Sequence, residues 1–183
     1  HSSIPKEDEG LTHYGPGTPC GEYLRRFWHP VAFTNDLKDL PRAIKIMGEE
    51  LVVFRDRTGQ VGCLELHCSH RGTSLEFGLI EEQGIRCCYH GWMFGVDGKI
   101  LDTPGEPLDS TYKERLCHGA YLVKEYKGMV WAYMGPPEKT PPFPMFDYFE
   151  TPGFRIEVRP KNVFHCNWLQ VEDNIMDPAH TWY

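Results

Sequence analysis

Two short loops hold the residue types best suited to chemistry. The first reads Cys68-Ser69-His70-Arg71-Gly72 and the second Cys87-Cys88-Tyr89-His90-Gly91-Trp92, each at the end of an expected strand. The pattern is C-x-H, sixteen residues, then C-x-x-H. Each loop supplies one thiolate and one imidazole, so the pairs can meet across a hairpin. A [2Fe–2S] centre with two cysteines on one iron and two histidines on the other needs that supply. A structural zinc site also uses two Cys and two His, although its usual spacing groups like with like. Four core residues brought together by chance are the third reading, which leaves both glycines and both strand ends as coincidences. Colour separates the first two readings, since zinc absorbs no visible light and the cluster is brown-red. Gly72 and Gly91, lacking a Cβ, are expected to let backbone N–H groups approach the cluster sulfurs.

A second constellation lies near the carboxyl end, where Asn167, Glu172, Asp173 and Asn174 precede Asp177-Pro178-Ala179-His180. Spacing of i, i+3 lets the Asp177 carboxylate and the His180 imidazole share one helix face. Asp before Pro is also a common N-cap with Pro at N1, so capping stands beside metal binding as a reading of these residues.

The elements that must position these groups are short. Glu22–Trp28 is expected to hold a short helix. Strands are expected at Ala43–Met47, Leu51–Arg55, Val61–Leu66, Ile85–Tyr89, Trp92–Val96, Lys99–Leu101, Tyr121–Tyr126 and Met129–Met134, several joined by Gly-containing turns. That pattern predicts a mainly β fold, a small barrel or sandwich. Gly135 to Pro144 holds five prolines in ten residues, too rigid and donor-poor for a central strand, and reads as a linker. Phe154–Arg159 is expected to form one more strand and Cys166–Met176 a helix. The domain reading is therefore an amino-terminal segment (1–26), a β domain (27–135), a proline-rich connection (136–150) and the beginning of a further domain (151–183). The first ten residues read as a mobile acidic tail.

Composition bounds the function. The chain has 183 residues, with Lys+Arg 19 against Asp+Glu 26 and a net charge of −7, which argues against nucleic acid and anionic membranes as partners. No apolar run approaches the ~20 residues of a membrane span. Seven cysteines, two of them adjacent, make a poor disulfide framework and point to a reducing, cytoplasmic setting. Cys20, Cys63, Cys117 and Cys166 are expected to be buried or incidental thiols. His67 and Cys88 are read as neighbours of ligands, Arg71 as a solvated charge, and His118 and His165 as lacking a partner pattern. Trp92, Phe94 and Trp131 are expected to pack beneath the two loops.

CSHRGTSLEFG followed by CCYHGWMFGVDGKI resembles the Rieske domain of the ring-hydroxylating oxygenases. Gly17-Thr18-Pro19 and Arg25-Arg26-Phe27-Trp28-His29-Pro30-Val31 resemble, more weakly, the phthalate-dioxygenase-type branch. The resemblance covers about residues 17 to 183 and implies a Rieske [2Fe–2S] domain of antiparallel sheets followed by the truncated start of an α+β catalytic domain. It implies that Cys68 and Cys87 hold the inner ferric site, while His70 and His90 hold the outer iron. Respiratory-chain relatives carry a disulfide-forming cysteine in each loop and a serine after His-Gly. Here Thr73, Tyr89 and Trp92 stand in those places, so a low potential of about −150 mV is expected, falling as pH rises.

In the same family the D-x-x-H motif carries the first ligand of a mononuclear Fe(II), by resemblance His180. Asp177 matches the acid that links that iron to a Rieske histidine of a neighbouring subunit, by position His90. The second histidine would fall near position 185, past Tyr183, so the chain is expected to be the amino-terminal part of a longer oxygenase without a complete catalytic site. The resemblance further implies electrons from a reductase or ferredoxin, activation of O2, hydroxylation of a small organic, often aromatic, substrate, and a homotrimer at full length. The rival is a stand-alone Rieske ferredoxin, which needs little beyond the two loops. The 93 residues after His90, with Asp177 and His180 among them, favour the oxygenase.

Overall fold

Leu51, Val52, Val53 and Phe54 are all wholly buried. Side chains alternate along a strand, so both faces of this one must be covered, and the fold follows from that requirement. In the computed structural model, residues 6–158, 163–179 and 182 are described. Their strands, in chain order, are β1 (Trp28–Phe33), β2 (Arg42–Ile46), β3 (Glu49–Arg55), β4 (Val61–Glu65), β5 (Leu79–Glu81), β6 (Gly84–Arg86), β7 (Met93–Phe94), β8 (Ile100–Asp102), β9 (Leu122–Tyr126) and β10 (Met129–Tyr133). They form three antiparallel sheets, ordered β1-β10-β9, β2-β3-β4 and β5-β6-β7-β8. Leu51 and Val53 of β3, with Cys63 of β4, pack against Val130, Ala132 and Met134. Val52 and Phe54 face the other way, into a core with Leu64, Ile85, Phe94, Ile100, Cys68 and Cys87. The expected mainly β, antiparallel architecture is what the chain adopts.

The hairpins are local decisions. Lys127 (φ 49) and Gly128 (φ 82) turn β9 into β10, and Met47 (φ 45) and Gly48 (φ 79) turn β2 into β3, the positive pairs that a two-residue hairpin turn requires. The turn at Met47-Gly48 lets β3 begin at Glu49, two residues before the expected start.

Several boundaries differ from expectation for identifiable reasons. The helix expected at Glu22–Trp28 lies at Pro19–Leu24 (α2, after α1 at Glu9–Thr12), because Thr18 caps it through Gly21 N–H and Pro19 sits in its first turn. Trp28 instead opens β1. The acidic tail is not wholly irregular, since Asp8 caps α1 by accepting from Gly10 N–H. Residues 1–5 lie outside the described residues. Phe154–Val158 forms no strand: Phe154 is 76% exposed and the segment pairs with none of the described strands. Arg159 lies outside the described residues. The expected helix near the end is present as α4 (Trp168–Met176), capped by Asn167, following α3 (Tyr112–Arg115).

The proline-rich stretch contains no strand and lies across the first sheet. Phe143 meets Trp28, Tyr126 and Trp131 edge-on at 5.4, 5.2 and 5.7 Å. Trp28 Nε1–H donates to Pro141 O at 3.2 Å and Tyr133 O–H to Lys139 O at 3.0 Å. This placement corrects the reading of Trp131. On β10 it alternates with Val130 and Ala132, so its ring faces the proline strap rather than the two cysteine loops.

A buried ion pair joins α2 to the middle sheet. Arg25, 5% exposed, pairs with Glu49 and donates to Met47 O at 3.0 Å, while Glu49 also accepts from the Tyr121 hydroxyl. Burial and the Glu49 carboxylate push the Tyr121 hydroxyl up, which keeps it a donor. Removing one partner of such a pair strands the other charge. Arg25→Met is expected to cost about 3 kcal/mol in urea denaturation, and Arg25→Met with Glu49→Leu to recover most of that loss.

No helix among the described residues is long and apolar enough to cross a membrane.

Candidate metal centre

β4 delivers the first cysteine loop and β6 the second, and the two loops close in the same way. Cys68 N–H donates to Thr73 O at 2.9 Å and Gly72 N–H returns to Cys68 O at 2.8 Å. Cys87 N–H donates to Trp92 O at 2.8 Å and Gly91 N–H returns to Cys87 O at 3.1 Å. Each return needs a left-handed residue, supplied by Gly72 (φ 72) and Gly91 (φ 75). The glycines therefore close the loops, whereas the N–H groups expected to approach sulfur come from elsewhere: those of His70 and Arg71 reach the Cys68 thiol.

Each loop is braced by the residue before its cysteine, a feature that motif spacing did not single out. His67 Nδ1 meets Gly72 O at 3.1 Å and its Nε2 meets Glu50 at 3.2 Å. Arg86 donates from Nη1 to Gly91 O at 2.7 Å and to Asp102 at 2.8 Å, and from Nε to Glu81 at 3.0 Å. Reading His67 merely as a ligand's neighbour missed this brace. The available signal was a long polar side chain preceding both cysteines.

The four candidate ligands sort by depth. Cys68 and Cys87 are each 3% exposed and lie within hydrogen-bonding reach of one another. Burial pushes the Cys68 thiol up, against the two backbone N–H groups aimed at it, so a bound cation is what would stabilise its thiolate. His70 is half-buried and His90 exposed, with ring centroids 4.9 Å apart. Among the described residues no three His, Cys, Asp or Glu side chains converge on one metal position. Tetrahedral zinc requires all four donors around one ion. Donors in two pairs, sulfur inside and nitrogen outside, fit two irons that share inorganic sulfides.

The remaining predicted residues fall as follows. Cys20 and Cys63 are buried, and burial pushes the Cys63 thiol up to about 12; Cys88, Cys117 and Cys166 are exposed. Trp92 and Phe94 pack beneath the loops as expected. His165 is exposed, and so is Arg71, in keeping with a solvated charge. His118 is 2% exposed, its Nε2 2.8 Å from Glu65 O and its ring 4.5 Å from Phe94. Asp177 is exposed, ends α4 as its C-cap residue and accepts from Ala179 N–H at 2.9 Å, and no α-helix among the described residues begins after it. His180 lies outside the described residues.

Burial holds the His118 imidazole below its ordinary value, the Glu65 carbonyl and carboxylate opposing. The unfolded chain then takes up a proton near pH ~6.5 that the folded chain resists, so stability is lost as pH falls through that value. Urea midpoints at pH 7 and pH 5 check this, and the difference is expected to shrink in His118→Gln.

Comparison with known proteins bears on the same loops. The tert-butanol monooxygenase / tert-amyl alcohol desaturase oxygenase subunit of Aquincola tertiaricarbonis is 54% identical over 91% of this chain, which spans 36% of that protein. Dicamba monooxygenase bound to dicamba superposes with a TM-score of 0.76 at 26% identity, over 87% of this chain and 48% of that one. The oxygenase in a ferredoxin complex of carbazole 1,9a-dioxygenase gives 0.67 at 29% identity, over 85% and 41%. The chain thus spans less than half the length of each. The model of the Rieske [2Fe–2S] domain matches residues 27–126, a span that contains both braced loops and all four paired donors. With more than half of its residues inside that match, this protein belongs to the Rieske [2Fe–2S] domain family.

Proposed function

We propose that Cys68 and Cys87 bind the inner iron and His70 and His90 the outer iron of the cluster, within a domain at residues 27–135, and that the chain serves as the cluster-bearing part of an oxygenase subunit. The observation that carries this reading is the sorting of donors, with a buried thiol pair below two imidazoles 4.9 Å apart. When bound, the cluster supplies reversible one-electron storage. The chain's own residues hold the sulfur side away from water, aim two N–H groups at Cys68 and leave His90 exposed to a partner.

The donor is proposed to be a ferredoxin or reductase, in keeping with the ferredoxin complex of a structural neighbour. Electrons would pass to a mononuclear Fe(II) in a catalytic domain beginning at residues 151–183, with His180 as its first ligand and Asp177 linking it to His90 of a neighbouring subunit in a homotrimer. O2 and a small organic, often aromatic, molecule would be the substrates.

The test is spectroscopic. Purified protein is expected to be brown-red, to contain about two irons and two sulfides, and to give a rhombic paramagnetic signal after dithionite or reduced ferredoxin. Colourless protein containing zinc would overturn the reading.

A further inference from the structure

Trp92 follows the second loop directly, yet its side chain serves the first. It is 3% exposed and lies in the core that contains Cys68, Cys87 and Leu75. Its indole is parallel to the His70 imidazole, with centroids 4.7 Å apart and planes 1° apart. Tyr112 lies 6.3 Å from the indole, tilted by 36°. The contact therefore crosses from one loop to the other and ends on a candidate iron donor.

The two imidazoles are held unequally. His70 stands against a buried wall, whereas His90 meets Tyr89, 63% exposed, at 3.8 Å. The two imidazoles meet edge-on at 67°. A ligating imidazole usually has its plane set by a hydrogen bond from the second ring nitrogen. Among the described residues none reaches either ring nitrogen of His70, and the stack is left to do this. Among the described residues, Trp92 Nε1–H is itself buried without a partner. An indole carrying that cost is a poor choice for filler, and the broad flat face is what it contributes.

We propose that Trp92 is a positioning residue: its stack fixes the plane of His70, keeps water from that face, and leaves His90 as the adaptable ligand on the solvent side. This rests on the assignment of His70 as an outer-iron donor. The test compares Trp92→Phe, Trp92→Leu and Phe94→Leu as holoproteins. Phe94 is a control because it is wholly buried in the same core and its ring contact is with His118.

Trp92→Leu fills space without stacking, and is expected to shift and broaden the rhombic signal and to bleach about tenfold faster under an iron chelator. Trp92→Phe is expected to stay close to wild type in both readouts, and Phe94→Leu to keep the wild-type spectrum. A wild-type spectrum and bleaching rate in Trp92→Leu would overturn the proposal. So would a Phe94→Leu change equal to that of Trp92→Leu, which would reduce the effect to a loosened core. Trp92→Met takes the place of the leucine variant if that chain does not fold, and the same two results in it would support or overturn the stack. Failure of the underlying assignment looks different, because wild-type protein would then give no rhombic signal at all.

Discussion

Replacing either Cys68 or Cys87 with serine is expected to yield protein without colour, without a paramagnetic signal after dithionite, and with iron below about a tenth of the wild-type content. A serine hydroxyl does not ionise near neutral pH and is a harder donor than the thiolate that an iron–sulfur cluster takes. Both cysteines sit at the buried end of the site, 3% exposed, where water has little access as a substitute ligand. Cys88 and Cys63 are the controls. Cys88 adjoins Cys87 but is exposed, and Cys63 lies in the other core, between the first two sheets. Serine at position 88 is expected to leave iron and sulfide content unchanged. At Cys63 it buries a hydroxyl among apolar groups and is expected to lower stability while the colour remains. Iron and sulfide assays beside visible spectra separate these outcomes, and a brown-red Cys87→Ser protein would remove the thiol pair from the ligand set.

Gly84→Ala is expected to have the largest effect on folding. Gly84 opens β6, the strand that runs into Cys87, and has φ 113, a conformation that side chains rarely tolerate. A Cβ there would also overlap the Phe94 carbonyl, which belongs to the neighbouring strand and cannot move without breaking the sheet. Positive φ and backbone overlap act together, so a loss of about 3 kcal/mol or more is expected, read as a lower urea midpoint in the cluster-free protein. The holoprotein is expected to lose iron faster as well, since Arg86, two residues on, braces the loop through Gly91 O. Gly59→Ala is the matched control: φ there is also positive, at 92, but a Cβ would meet nothing within 4 Å. If both variants were equally stable, steric overlap at Gly84 would play no part.

Much of the site was legible because its information is local. The pattern C-x-H then C-x-x-H names four donors without reference to any distant residue, and a glycine two residues after His70 and directly after His90 marks where each loop must turn. The hairpin at Lys127-Gly128 belongs to the same class, since turn chemistry is settled within a few residues. The strand expected at Phe154–Arg159 shows the limit of such reading. Phe154–Val158 has strand-like composition, but a strand exists only where a neighbour supplies an edge.

What tertiary structure alone decided depends on contacts between residues far apart in the chain. Trp131 and Val130 are adjacent, and only the register of β10 against β1 and β9 sends one to the proline strap and the other to the core. The braces from His67 and Arg86 require carbonyls that become available once each glycine has turned its loop. The stack of Trp92 on His70 needs both loops in place at once. Donor identity is written in neighbouring letters, whereas the depth, pairing and ring planes of those donors come from side chains meeting across sheets, where the sequence carries no spacing to read.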